Sequence, residues 1–287
     1  MKRVMMKRTT CICVFMFLAV LFSQPAFGEE KKADTVPWEK YSLHLGAFLS
    51  DISSDLRFGA GLGVDVNVED LFGMDTNTTV FRVDGAWRFT QNLRHRLDFS
   101  WYALRRDANR QVLQDFTIEN PDNGSQVLIP AGTQVNSFFN FDIYKLAYSY
   151  SFFQDNRFDL ALSLGLFVMP IEFGFNSSGA VTETVDESIT APLPVVGFRG
   201  DFALTPKWFL RMGTEIFYLE FEQFKGAIHN SYGAVEYKPW KHVGIGLGVE
   251  TMGINIEAAG EDWPGIDFKG EVEFNYIGLQ LYTKIFF

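Results

Sequence analysis

Three patterns in the chain bring together side chains that could do chemistry. In His229-Asn230-Ser231 a base and a hydroxyl stand two residues apart. Residues two apart on a strand project to one side. The pair therefore meets the minimum for nucleophilic acyl transfer, with Glu220 or Glu222 on the preceding strand able to orient the imidazole. The second pattern is a repeated Arg-x-Asp: Arg82 and Asp84, Arg96 and Asp98, Arg157 and Asp159, Arg199 and Asp201. Together with Arg88, Arg94, Lys145, Arg211, Glu215, Glu236, Glu250 and Lys284, these supply charges of both signs that neighbouring strands can pair. The third places glycine at every second position, at Gly59, Gly61 and Gly63 and again at Gly244, Gly246 and Gly248, which makes a smooth strand face rather than a phosphate loop. No His, Cys, Asp and Glu residues stand at zinc spacing. The loop acids Glu183, Asp186, Glu187, Glu261 and Asp262 are most simply solvated, so neither metal nor cofactor is expected.

The elements that must carry these residues are strands. From Tyr41 onward runs recur in which every second residue is apolar: Phe81, Val83, Trp87 and Phe89 oppose Arg82, Asp84 and Arg88, and Leu97, Phe99 and Trp101 oppose Arg96, Asp98, Ser100 and Tyr102. The pattern returns with Val196, Phe198, Phe202 and Leu204 against Arg199 and Asp201. It returns again with Trp208, Leu210, Met212, Ile216 and Tyr218 against Arg211 and Glu215, and with Ile277, Leu279 and Leu281 against Tyr276, Gln280, Tyr282 and Lys284. One face suits hydrocarbon and the other carries charge. Short turns near residues 90–92, 154–156, 205–207 and 238–242 alternate with longer polar connections at 107–135, 176–189 and 257–267. That alternation separates a membrane barrel from a soluble sandwich. Trp38, Tyr41, Trp87, Trp208, Trp240, Tyr282 and Phe287, near strand ends, are expected in interfacial girdles.

The fold expected is all-β, a transmembrane antiparallel up-and-down β-barrel of about twelve strands, with ten as the alternative. Eleven runs are visible, and an even number is required when both ends face the periplasm. The two counts differ in the segment before residue 78, where Val68 to Met74 reads as a short helical turn tucked into the lumen. The chain end, Leu279, Leu281, Ile285 and Phe287, resembles the terminal-strand assembly signal of bacterial outer-membrane barrels, which implies the barrel-assembly machinery as a partner during biogenesis.

The rest of the composition agrees. The chain has 287 residues, 47% hydrophobic and 16% aromatic, with a net charge of -10, which argues against nucleic acid as a partner. Lys2, Arg3, Lys7 and Arg8, the apolar run Cys11 to Phe22, and Ala26-Phe27-Gly28 have the layout of a secretory signal, so residues 1–28 are expected to be removed and 29–287 to form the barrel. Both cysteines, Cys11 and Cys13, leave with it. The location expected is the outer membrane of a Gram-negative bacterium, in contact with outer-membrane lipid and lipopolysaccharide.

Val64 to Met74, Thr79 to Gly85, Trp87-Arg88-Phe89, His95 to Tyr102 and Tyr144 to Phe152 resemble a group of uncharacterised proteobacterial outer-membrane barrel proteins. The resemblance implies the fold and the location and transfers no ligand or catalytic residue. His229-x-Ser231 resembles the His-x-Ser of outer-membrane lipid A deacylases, over a pattern of two residues in a chain larger than those enzymes. Two functional readings stand. The first is a narrow channel or a solute-binding or structural barrel, whose lumen network of Arg82, Asp84, Arg88, Arg94, Arg96, Asp98, Arg199, Asp201, Arg211 and Glu215 braces the wall or receives a small polar solute. The second is a lipid acyl hydrolase using His229 and Ser231.

Overall fold

The period-two segments form strands β1 (Tyr41–Phe58), β2 (Asp65–Asn67), β3 (Asn77–Arg88), β4 (His95–Gln111), β5 (Phe116–Glu119), β6 (Gln126–Ile129), β7 (Gln134–Gln154), β8 (Phe158–Ser178), β9 (Thr184–Ala203), β10 (Trp208–Phe221), β11 (Phe224–Tyr237), β12 (Val243–Ala258) and β13 (Gly270–Phe286). This structure is a computed structural model that describes residues 37–58, 65–67, 69–70, 73–112, 115–119, 126–178, 184–221, 224–258 and 270–287. The signal segment, the glycines at 59, 61 and 63, Glu222 and the loop acids Glu183, Glu261 and Asp262 lie outside them. Among the described residues no helix is long and apolar enough to cross a membrane.

Ten strands, β1, β3, β4 and β7 to β13, pair antiparallel in chain order, and β13 returns to β1 to close the wall. The short β2 pairs with the far end of β1, and β5 and β6 form a separate hairpin. Of the two expected counts, ten is the one found. Two of the eleven visible runs, at 40–50 and 55–68, merge into a single wall strand up to Phe58, because the backbone ladder runs unbroken through Asp51, Ser53 and Ser54. The β1 strand pairs with β13 without interruption from Ser42↔Phe286 to Phe58↔Gly270. The helical turn reduces to Glu69–Asp70 among the described residues, and Glu69 is buried, accepting from the Ser54 N–H at 2.9 Å.

The alternation changes phase along each long strand. Near the termini and the short turns, the outward side chains are apolar. Leu162, Leu164 and Leu166 on β8 and Leu279 and Leu281 on β13 are exposed, while the inward side chains are small, polar or charged, as at Asp159, Ser163, Gln280 and Lys284. Farther along, the faces exchange character. In β7, Tyr144, Leu146 and Tyr148 point out, but Val135, Phe139, Phe141 and Ile143 point in, opposite Asn136 and Asp142. The same exchange occurs at Leu166/Phe167 in β8 and before Met252, Ile254 and Ile256 in β12. Below the exchange the wall fits lipid, as in membrane barrels. Above it the wall fits water and encloses an apolar core like that of a soluble barrel. The expected charges of both signs therefore lie in the lower half of the lumen.

Two glycines show how the inward rings fit. A Cβ on Gly246 would fall inside the Tyr282 ring, and one on Gly278 would fall inside that of Phe48. On the smooth face of Gly244, Gly246 and Gly248, it is Gly246 that seats a neighbouring aromatic ring, while Gly244 and Gly248 face Lys238 and Ala234. Most of the expected girdle lies outside the lower rim: Tyr41 stacks on Trp87 at 6.3 Å, Trp208 meets Tyr237 at 4.6 Å, and Phe287 stacks on His242 at 4.8 Å. Trp38 and Tyr282 do not belong to it. Both are buried and face inward, Tyr282 because it shares register with Gln280 and Lys284, and Trp38 because the chain before β1 turns under the barrel mouth.

Candidate functional site

The lower lumen is built in layers. At the mouth, Trp38 donates from Nε1 to the Asp155 carbonyl at 2.8 Å and meets Phe209 edge-on. Beside it, Glu39 takes Lys238 and, at 3.2 Å, Lys284. Burial would raise the Glu39 carboxyl, but Lys284 and Lys238 overcome this and hold it at about 2. Burial and neighbouring Lys284 bring Lys238 down to about 8, with Glu39 opposing. The carboxylate thus stabilises the fold above the ordinary 4.5, and that stabilisation is lost as pH falls toward about 2. Acid titration should release the mouth over this window, read as the difference in tryptophan fluorescence between the parent and Trp38→Phe. Glu39→Gln should remove the step.

Above the mouth, Asp201 is a hub. It accepts from Arg199, from Arg96 and Arg211 at 3.2 Å, and from Arg88 at 3.5 Å. Asp159 takes Arg88 at 2.6 Å and Arg199 at 3.3 Å. Glu236 takes Lys284 at 2.7 Å, Arg211 at 3.1 Å and the Tyr282 hydroxyl at 2.9 Å. In the next layer Arg82 joins Asp84 at 3.0 Å and Glu250 at 2.7 Å, and Lys145 pairs with Glu215. Among the described residues the lower ion pairs join Arg82, Arg88, Arg96, Lys145, Arg199, Arg211, Lys238 and Lys284 to Glu39, Asp84, Asp98, Asp159, Asp201, Glu215, Glu236 and Glu250, eight cations against eight carboxylates. Nearly every head is shielded from solvent, so the balance keeps the desolvation cost from being left uncompensated.

Two expected members fall outside this network. Arg94 lies at a turn and donates to the Ser151 carbonyl at 3.3 Å, and Arg157 is exposed on the next turn. Between the layers remains a polar cavity of about 90 Å³, bordered by His44, Asp84, Lys145, Asn230 and Glu250. It has room for several waters, since each needs about 10–15 Å³ by this kind of measure. The Asn230 Oδ1 is buried there without a protein partner.

The cavity has an apolar roof. Tyr102 and Tyr276 join hydroxyls, with Tyr276 also donating to Glu250, and Phe48 packs on both rings. Above them Phe139, Phe141 and Phe274 pack edge-to-face or tilted among Met169, Ile143 and Ile254. Near the top, Arg106 pairs with buried Glu69 and lies over the Phe139 ring at 5.0 Å. Sequence reasoning missed this core, and the phase change in β7, β8 and β12 was the available signal.

The acyl-transfer pair is not assembled. His229 and Ser231 do share the outer face of β11, but the Ser231 hydroxyl pairs with that of Thr214 at 2.9 Å, and the His229 ring lies toward Gly253. Glu220 accepts from the Tyr218 hydroxyl and stands opposite Lys225, four rows from the Ile216↔His229 row. Among the described residues no cluster of His, Cys, Asp and Glu could hold a metal ion.

No family model and no curated protein matches the chain. Among solved structures, the outer-membrane protease OmpT from Escherichia coli is 9% identical and superposes with a TM-score of 0.55, over 90% of this chain and 99% of that one. The chain has the outer-membrane β-barrel fold. Ail, the attachment invasion locus protein of Yersinia pestis, is 11% identical with a TM-score of 0.36, covering 85% of this chain and 97% of that one. The P. putida toluene transporter TodX is 7% identical with a TM-score of 0.34, covering 86% and 90%. At these identities the likeness concerns the fold alone.

Proposed function

We propose that the protein is an outer-membrane barrel of a Gram-negative bacterium that does not conduct, and that its lumen is a brace enclosing a small polar binding chamber. The observation that carries this reading is the continuous filling of the lumen: Trp38 and Glu39 at the mouth, the balanced ion pairs above them, and the Phe48, Tyr102 and Tyr276 roof under the apolar core. The chamber of about 90 Å³ suits water or one small zwitterionic solute, since both signs of charge line it. In this reading residues 1–28 direct export, and Leu279, Leu281, Ile285 and Phe287 serve assembly; Leu279, Leu281 and Phe287 lie exposed along the outside of β13 and just past its end.

Planar-bilayer recording tests it. The purified barrel should show no lasting conductance, and Arg82→Ala should remain closed while losing thermal stability, because Asp84 and Glu250 lose their shared cation. Steady single-channel currents in the parent, with selectivity changed by Arg82→Ala, would establish a channel instead.

A further inference from the structure

The wall is not zipped along its whole height. Strands β9 and β10 pair only from Phe209↔Ala203 to Ile216↔Val196, although β9 runs on to Thr184 and β10 to Phe221. On their other sides the ladders continue: β9 stays paired with β8 to Thr184↔Asn176, and β10 with β11 to Phe221↔Phe224. The seam therefore lies between two strands that each keep their other partner; the β3–β4 ladder also ends early, at Arg82↔Tyr102, but no proline stands in β3 or β4 there.

The sequence is adapted to this open edge. Pro192 and Pro194 have no N–H, and the β8 ladder runs unbroken through Val168↔Pro192 and Leu166↔Pro194, so the missing donors belong to the edge turned toward β10. Wherever an acyl chain rather than water lies along this edge, an unpaired donor costs several kcal/mol. Prolines at two successive outward positions remove that cost where pairing is absent. The side chains at the seam agree. Phe217 and Leu219 point toward the core but are only partly buried, whereas Leu193 and Val195 across the seam are buried.

Its height selects the occupant. The outward side chains just below it, Val196 and Ile216, are apolar and exposed, Tyr218 is an exposed interfacial aromatic, and Glu220 marks the polar zone above. The seam thus begins at the outer edge of the lipid-facing band, where the apolar core also begins. We propose that it is a binding groove for one acyl chain of an outer-leaflet lipid, which lies between the β9 and β10 edges and covers Phe217 and Leu219. A chain can pass from leaflet to groove without crossing water, which neither a polar solute nor a soluble peptide could do.

The test attaches a small bimane fluorophore to Leu219→Cys in the full chain carrying Cys11→Ala and Cys13→Ala, folded into phosphatidylcholine vesicles. Phe139→Cys, an inward core residue on β7 and away from the seam, is labelled as the control. Lipid brominated near the headgroup end of its chains should quench the Leu219 label severalfold more than the Phe139 label. Pro192→Val with Pro194→Val, which restores both donors and allows the edges to pair, should reduce that difference. Equal quenching at both sites, or none at Leu219, would overturn the groove. Quenching by brominated free fatty acid but not by brominated phospholipid would overturn the choice of a leaflet lipid. Cross-linking of Leu219→Cys between molecules, with quenching falling as protein density rises, would assign the seam to a second copy of the chain. Conductance is silent about the groove, so this result and that of the closed-lumen reading are independent.

Discussion

Asp201→Ala should destabilise the barrel by about 3–5 kcal/mol, the range for removing one partner from a buried charge network. Asp201 accepts from Arg88, Arg96, Arg199 and Arg211, and its loss turns the balance of eight and eight into an excess of one cation. The remaining nearby carboxylates cannot absorb it easily, because Asp159 already holds Arg88 and Arg199, and Glu236 holds Arg211 and Lys284. The readout is the heat-modifiability midpoint of the detergent-folded protein. Adding Arg88→Leu should recover part of the loss by restoring the balance, so the double variant should be more stable than Asp201→Ala alone. An unchanged midpoint in Asp201→Ala would mean that water already compensates these guanidinium groups and that the lumen is wetter than its packing implies.

Which side chains share a face in the lower strands was legible, because a strict period of two assigns faces without knowledge of the fold. Arg82, Asp84 and Arg88 share a side for the same reason that Phe81, Val83 and Trp87 share the other. The partners across the barrel were not legible. Arg82 meets Glu250 from a position 168 residues away, and no local spacing encodes which strands face each other across a closed ring. The upper core was hidden by a different cause. A single phase carried along β7 extends the charged face past Ile143, where the outside of the strand stops meeting lipid and the apolar residues must turn inward. The strand count was blurred by Asp51, Ser53 and Ser54, which look like a turn: Asp51 and Ser53 point out at the level where a polar exterior is allowed, and Ser54 is buried inside, where its hydroxyl accepts from Arg106. His229 and Ser231 were placed on one face correctly, yet sharing a face did not bring them together, because Thr214 on the adjacent strand captured the hydroxyl.

Gly246→Val should cost about 1–3 kcal/mol from overpacking alone, and more through what the displaced ring releases. A side chain at 246 occupies the space of the Tyr282 ring, and the intact β11 and β13 ladders flanking β12 prevent the backbone from retreating. Tyr282 must then withdraw its hydroxyl from Glu236, the carboxylate that also anchors Arg211 and Lys284. One steric change thereby reaches the ion-pair layer and the mouth. Tyr282→Ala separates the two effects, since it loses the hydrogen bond but vacates the space. If the clash dominates, Gly246→Val combined with Tyr282→Ala should be clearly more stable than the sum of the single losses, a coupling within the range of 0.5–3 kcal/mol seen for residues in contact. Additive losses in heat-modifiability would show instead that the wall yields at Gly246, and that the smooth face is not needed to seat the ring.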